Sequence, residues 1–432
     1  MRLLIKCINM KKILLIIITS FFITTNSFSE QSKFNETGPD AKVLGEKNSF
    51  SPCRPYSSHW KKKECRIGNF SQTDKIINNR RFVFPSNNAA RLPYAKNYPP
   101  KLINTVDKYV SKHPVMGFLI VKNGEIITER YQYNRKPDMI FRSFSMTKTF
   151  IAMLIGIAHD KGLIKSLDDP VGQYWTEVKN SPYGKVTIKE VLRMASGVEG
   201  GSYADENSNA MKNKMYSVLF DKKSVNKPEK FEEYINNLKK RGSKGSFRYS
   251  NLDSMVLGRI LNKVTGENIS TLTSEWLWKP MGARSNAKWM YSFDGIETTE
   301  GGFSATLNDF ARFGILLANN GNYKGTQVIS KEYLLQATDY NITPKSHINV
   351  SNNAFQYAYG YQTWIQKNKE RTFCALGHYT QIICVQPSSK IVMVQVAVNK
   401  SHDGWKSGKG TMSGDLLRLW KTVLEDLGGN IN

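Results

Sequence analysis

The sequence predicts an α+β fold: an α/β sandwich whose antiparallel sheet is formed by both chain ends, flanked by helices, with an inserted, mainly helical lobe. Three observations predict it. Short apolar runs bounded by turn residues occur around residues 118–128 and again after residue 359, and the stretch between them carries apolar residues at helical spacing. With 432 residues, 40% apolar and 22% charged, the chain can bury a large core, which excludes disordered, collagen-like and small disulfide-scaffold classes.

The elements follow in order. Residues 1–29 open with a basic stretch ending Met10-Lys11-Lys12, continue through Ile13-Leu14-Leu15-Ile16-Ile17-Ile18 and reach Ser27-Phe28-Ser29, the pattern of a signal peptide cleaved near Ser29. The expected location is therefore exported, periplasmic or secreted. Thr19, Ser20, Thr24 and Thr25 break the apolar run short of a membrane anchor, and no cysteine sits at the cleavage point to carry a lipid. Residues 30–97 are rich in Ser, Asn, Lys and Pro and read as an irregular N-terminal arm in which function is not expected.

The main folded body is expected over residues 98–430. Phe118-Leu119-Ile120-Val121 and Ile126-Ile127-Thr128 flank Asn123-Gly124, a hairpin signal. From Ser145, Phe150, Met153, Leu154 and Ile157 follow helical spacing and Gly162 supplies a stop, so 145–161 is a buried helix with Ser145 in its first turn. A mainly helical lobe spans about 163–345, with helices at Val186–Met194, Ser254–Val264 and Leu307–Ala318. Strands return at Tyr359–Gln366, Thr372–Gln386 and Ile391–Val398, and a last helix runs from about Ser413 to Leu427. A cleft is expected between sheet and lobe.

Four cysteines follow the signal segment, allowing three pairings. Cys53 and Cys65, close together in a polar segment, suit a local disulfide. If 372–386 is one strand, Cys374 and Cys384 stand roughly 33 Å apart at about 3.3 Å per residue, beyond disulfide reach.

The formal charge is +25, and loss of Arg2, Lys6, Lys11 and Lys12 with the signal segment leaves +21. Such a balance draws a protein weakly towards anionic cell-envelope surfaces. The lysines are scattered, and no arginine stripe with interleaved aromatics marks a nucleic-acid binder.

The chemistry centres on Ser145. A serine hydroxyl attacks only if a neighbour takes its proton. Residues i and i+3 share a helix face, so Ser145-Met146-Thr147-Lys148 can set an amine beside the hydroxyl, with the helix N-terminus facing a developing oxyanion. Ser-x-x-Lys occurs four times, at Ser58, Ser145, Ser224 and Ser285, but only at Ser145 does a strongly apolar helix follow directly. Tyr-x-Asn occurs at Tyr234 and at Tyr249. Tyr249-Ser250-Asn251 stands on a loop before a helix, the better position for a site.

Phe144-Ser145-Met146-Thr147-Lys148, Val191 to Gly197, Tyr249-Ser250-Asn251, Gly301-Gly302-Phe303-Ser304-Ala305-Thr306 running into Asp309 to Gly314, and Ala375 to Gln381 occur in that order. In this series the chain resembles the serine β-lactamase and penicillin-binding superfamily, in its class C-related branch, over roughly residues 100–425. The resemblance implies a β-lactamase/transpeptidase-like fold, with Ser145 as acylated nucleophile and Lys148 and Tyr249 as general acid and base. Asn251 would orient Lys148 or substrate. The oxyanion hole would combine the Ser145 N–H with one from the strand near 378, belonging to His378 or Gln381, with His378 favoured. Penicillin-recognising members carry Lys-Thr-Gly on that strand, and none stands at 375–381, so His378 would stand in for its cation in part.

Within the branch the chain is most similar to 6-aminohexanoate-dimer hydrolases and carboxylesterase-like members. That likeness implies substrate-binding roles for Tyr203, Trp364 and Asp403, the last attracting an ammonium group. The expected function is an exported serine hydrolase acting on a small ester or amide without metal or other cofactor. A D-Ala-D-Ala peptidase or class C-like β-lactamase, and a catalytically silent wall-binding module on the same fold, stand as alternatives. Six scattered histidines without a His-x-x-x-His pair speak against metal hydrolysis, and no Gly-x-Ser-x-Gly elbow marks an α/β-hydrolase.

Overall fold

The computed structural model describes residues 34–54, 62–87, 89–199, 208–220, 222–239, 245–399, 405, 408 and 410–431, which leaves the expected signal segment outside the described residues. The strands are β1 (Arg80–Val83), β2 (Val115–Lys122), β3 (Glu125–Tyr131), β4 (Ile140–Arg142), β5 (Ala287–Met290), β6 (Phe303–Thr306), β7 (Asn322–Tyr323), β8 (Thr326–Gln327), β9 (Ala358–Tyr359), β10 (Trp364–Ile365), β11 (Phe373–Gly377), β12 (Gln381–Gln386) and β13 (Ile391–Ala397).

Seven of them form an antiparallel sheet in the order β3-β2-β13-β12-β11-β10-β9. The two chain ends meet where β13 lies on β2, with Val392 opposite Val121 and Val394 opposite Leu119. Side chains alternate across a strand, so β2 feeds two cores. Leu119 and Val121 join the apolar cluster that includes Phe310, Phe313 and Leu317 of the helix Leu307–Ala318. Phe118 and Ile120 join a second cluster with Val106 of the helix Pro100–Lys112 and Leu416 and Trp420 of the helix Met412–Asp426. Each such buried side chain stabilises the fold by about 1.5–3 kcal/mol. Close approach of the Leu307 helix to β13 depends on Gly314, where a Cβ would collide with Cγ1 of Val392.

The inserted lobe is helical as expected through Ser208–Phe220, Glu229–Asn236, Asn251–Thr265 and Lys331–Thr338, but it also contributes strands. β5 and β6 combine with β4 and β1 in a second antiparallel sheet, ordered β1-β5-β6-β4. Strands of three or four residues carry too little alternation to stand out in sequence, and β1 and β4 find their partners far along the chain. The arm likewise holds more structure than its composition suggests. β1 pairs with β5, the short helix Arg66–Ser71 buries Ile67 and Phe70, and Cys53 is disulfide-bonded to Cys65 with 5.5 Å between Cα atoms.

Two expected strands are corrected. Residues 372–386 are a hairpin, not one strand: Tyr379 and Thr380 adopt φ of 60° and 70°, the chain reverses, and β11 pairs with β12 in antiparallel register. Cys374 stands directly opposite Cys384, with Cα atoms 4.2 Å apart, and the two are disulfide-bonded. The reversal is hidden in sequence because neither left-handed residue is Gly, Asn or Asp, the types that advertise such a conformation. The strand expected at Tyr359–Gln366 is also two short strands, β9 and β10, joined through Gln362 at φ 49°.

Candidate active site

Ser145 is presented by a tight turn between β4 and the helix Thr147–Asp160. Phe144 takes a left-handed conformation, φ 48°, and residues 144–146 form one turn of 3-10 helix that runs into the α-helix. Ser143 anchors the turn: its hydroxyl lies 2.8 Å from the Phe303 carbonyl oxygen and 2.7 Å from the Thr147 hydroxyl, fastening the end of β4 to β6. The end of β11 closes in from the other side. At Gly377 a Cβ would run into the Ser143 carbonyl oxygen, so only glycine admits this backbone approach.

One turn along the helix, Lys148 is 1% exposed, and its Nζ donates to the Ser145 hydroxyl at 3.2 Å and to the Glu300 carbonyl oxygen at 2.6 Å. Burial penalises the ammonium form and pushes the lysine down to about 7, against an opposing pull from the Glu300 carboxylate. The Tyr249 ring centroid is 5.3 Å from the same nitrogen. Tyr249 is held from behind by aromatic contacts, stacked on Trp364 and edge-on to Tyr359.

The structure therefore brings Ser145, Lys148 and Tyr249 together. Ser250 caps the helix Asn251–Thr265, its hydroxyl accepting from the Asp253 N–H, which fixes the loop carrying Tyr249. Asn251, in the first turn of that helix, is buried, and its amide nitrogen donates to the Tyr216 hydroxyl at 3.3 Å. Trp364 is nearly enclosed and backs Tyr249. His378 is half-buried in the reversing turn, edge-on to Phe144. Gln381 is fully buried: its amide donates to the carbonyls of His378 and Ala397 and accepts from the Ala397 N–H, so it clamps the hairpin. Tyr203 and Asp403 lie outside the described residues. Among the described residues no cluster of His, Cys, Asp and Glu could hold a metal ion, and no helix is long and apolar enough to cross a membrane.

Three residues around the site escaped the sequence reading. Glu300, directly before Gly301-Gly302, is buried, and burial raises its carboxyl above the usual range while Lys148 and Arg142 draw it back down. Tyr216, on the helix Ser208–Phe220, hydrogen-bonds that carboxylate. Arg142, on β4, packs its guanidinium over the Phe144 ring and is held at about 10 by burial. An ionisable residue abutting a motif, as Glu300 does Gly301-Gly302 and Arg142 the Ser145 turn, was the available signal.

Comparison with known proteins places this arrangement among relatives. The beta-lactamase family model matches residues 102–412. The 6-aminohexanoate-dimer hydrolase of Paenarthrobacter ureafaciens is 24% identical over 313 residues, 71% of this chain and 78% of that protein. The solved structure named "Putative 6-aminohexanoate-dimer hydrolase from Bacillus anthracis" superposes with a TM-score of 0.69 at 21% identity, covering 91% of this chain and 99% of the other. A family VIII carboxylesterase superposes with a TM-score of 0.55 at 15% identity, covering 75% and 99%. These structures share the fold of the serine β-lactamases and penicillin-binding proteins. Because the matched segment holds the joined sheet, the inserted lobe and the Ser145–Lys148 turn together, the chain belongs to the beta-lactamase family.

Proposed function

We propose that this chain is an exported serine hydrolase that cleaves a small ester or amide through an acyl-enzyme on Ser145. The observation that carries this reading is the 3.2 Å contact between the Ser145 hydroxyl and the amine of Lys148, a lysine buried enough to be a base near neutral pH.

In the acylation half, Lys148 takes the Ser145 proton as Oγ bonds to the substrate carbonyl carbon. The negative charge on the carbonyl oxygen is met by the backbone N–H of Ser145, at the start of the helix, and that of His378, at the end of β11. The Ser143–Gly377 approach supports this pairing because it draws the two backbones together. Tyr249, with Lys148, relays the proton to the leaving alcohol or amine as the scissile bond breaks. Water then attacks the acyl carbon with the same groups as base, the carboxylic acid departs, and Ser145 regains its proton. Asn251 acts on Lys148 through Tyr216 and Glu300, and Trp364 acts by holding Tyr249.

An ester or amide is favoured over a β-lactam because β11 ends Leu376-Gly377-His378, without the Lys-Thr-Gly cation that receives a penicillin carboxylate. The similarity to a 6-aminohexanoate-dimer hydrolase supports a small amide substrate, with Tyr203 and Asp403 as further contacts and Asp403 attracting an ammonium end. The basic balance supports weak association with anionic cell-envelope surfaces.

A fluorophosphonate probe tests the reading. Wild type is expected to be labelled and Ser145→Ala not, with nitrophenyl acyl esters and short amides turned over faster than a chromogenic cephalosporin or D-Ala-D-Ala peptides. Wild type that resists the probe favours a silent module, and fast cephalosporin turnover favours a β-lactamase.

A further inference from the structure

A buried carboxylate is costly to keep, by several kcal/mol, unless cations and donors answer its charge. Glu300 is 7% exposed, and its Oε2 has no hydrogen-bond partner among the described residues. Its backbone carbonyl already accepts from Lys148 at 2.6 Å, a service any residue could perform. The acidic side chain therefore adds something the backbone does not. It faces Lys148 on the helix Thr147–Asp160 and Arg142 on β4, and it receives the Tyr216 hydroxyl from the helix Ser208–Phe220, which in turn accepts from Asn251 at 3.3 Å. Tyr249, from the loop before Asn251, is a further titratable group against Lys148, its ring centroid 5.3 Å from Nζ.

We infer that Glu300 is a positioning residue that sets the charge of Lys148, and hence the pH at which Ser145 is activated, with Tyr216 and Asn251 holding its carboxylate in place. This rests on the serine-hydrolase reading above and adds to it a residue that never touches substrate. The physical reason is simple electrostatics: an ionised carboxylate favours the ammonium over the amine, so it opposes the effect of burial on the lysine. Glu300 thus restrains Lys148 from becoming a base at too low a pH. The chain Asn251–Tyr216–Glu300 explains how a residue of the Tyr-x-Asn motif reaches the catalytic lysine without touching it.

The sign of the test follows. Replacing Glu300 by glutamine removes the charge that favours the ammonium, so the acid limb of kcat/KM moves to lower pH, by about one unit for a neighbouring opposite charge. Tyr216→Phe weakens the hold on the carboxylate, so the carboxyl stays protonated to higher pH and the limb moves in the same direction by less. Glu300→Asp, which keeps the charge, returns the midpoint towards wild type.

The experiment is kcat/KM against pH from 5 to 9 on a nitrophenyl acyl ester for wild type, Glu300→Gln, Glu300→Asp and Tyr216→Phe, with fluorophosphonate labelling of each. The midpoint of the limb is the readout, because a structural loss of active protein lowers the curve without displacing it. Labelled Glu300→Gln with a wild-type midpoint overturns this inference alone. Unlabelled wild type overturns it together with the hydrolase reading. Should Glu300→Gln not fold, an undisplaced midpoint in Tyr216→Phe overturns it equally.

Discussion

Tyr249 lies nearly flat against Trp364, with ring centroids 5.6 Å apart and planes inclined by 17°. The tryptophan comes from the short strand β10 of the main sheet and the tyrosine from the loop before the helix Asn251–Thr265, so the stack ties lobe to sheet beside Lys148.

That stack predicts a kinetic effect from a residue outside the reaction. Offset aromatic pairs contribute about 0.5–1.5 kcal/mol beyond their buried area. Trp364→Ala is expected to let Tyr249 swing and to lower kcat by about tenfold, about 1.4 kcal/mol in barrier. Trp364→Phe, which preserves a ring, keeps most of it. Unchanged turnover in the alanine variant would show that Tyr249 is held by its other neighbours.

Lys148→Ala removes the proposed base. General-base contributions are about 10²–10⁴-fold, and kcat/KM should fall by that order while the circular dichroism melt stays close to wild type. Near wild-type turnover would remove Lys148 from the mechanism.

The same burial sets two pH dependences. If the amine form is the active one, kcat/KM should rise with pH and level off above about 7. Stability follows the same lysine: its folded-state value lies below its unfolded one, so the folded chain binds fewer protons there and gains stability as pH rises between about 7 and 10. Wild type should therefore lose stability relative to Lys148→Met as pH falls across this window, with the difference constant below it. Urea titrations of the two proteins at pH 6, 8 and 10 read this directly, and parallel values at all three would contradict it.

The cross-strand disulfide predicts a coupling between redox state and activity. Cys374 and Cys384 pin the hairpin whose turn holds His378. Replacing both by alanine should cost about 2–4 kcal/mol, the usual worth of such a crosslink. If the turn also supplies an oxyanion N–H, kcat should fall more than KM rises. A variant that is less stable but kinetically intact would separate the disulfide from the site.

Much of this protein is written locally. The helix after Ser145, the Leu307–Ala318 helix and the β2–β3 hairpin are legible because periodicity and turn chemistry act within a dozen residues, and the order of the Ser145, Tyr249 and Gly301 motifs is enough to name the family. The hairpin at 378–380 was not legible, because two left-handed residues without glycine or asparagine are stabilised by distant partners: Gln381 clamping Ala397, and Arg66 resting over the Tyr379 ring. Nor was the second sheet, whose strands of three or four residues include β1 and β4, paired with β5 and β6 from much later in the chain.

The sequence by itself determined which groups stand in reach of one another locally: a hydroxyl and an amine one helical turn apart, and a phenol on a helix-capped loop. Only the tertiary structure decided how they meet and what charge the amine carries, because a lysine's charge depends on what surrounds it. Burial of Lys148 under the lobe, the Glu300 carboxylate set against it and the Tyr216 hydroxyl on that carboxylate come from three separate segments, and their effect exists only once folding has excluded water from the space they share.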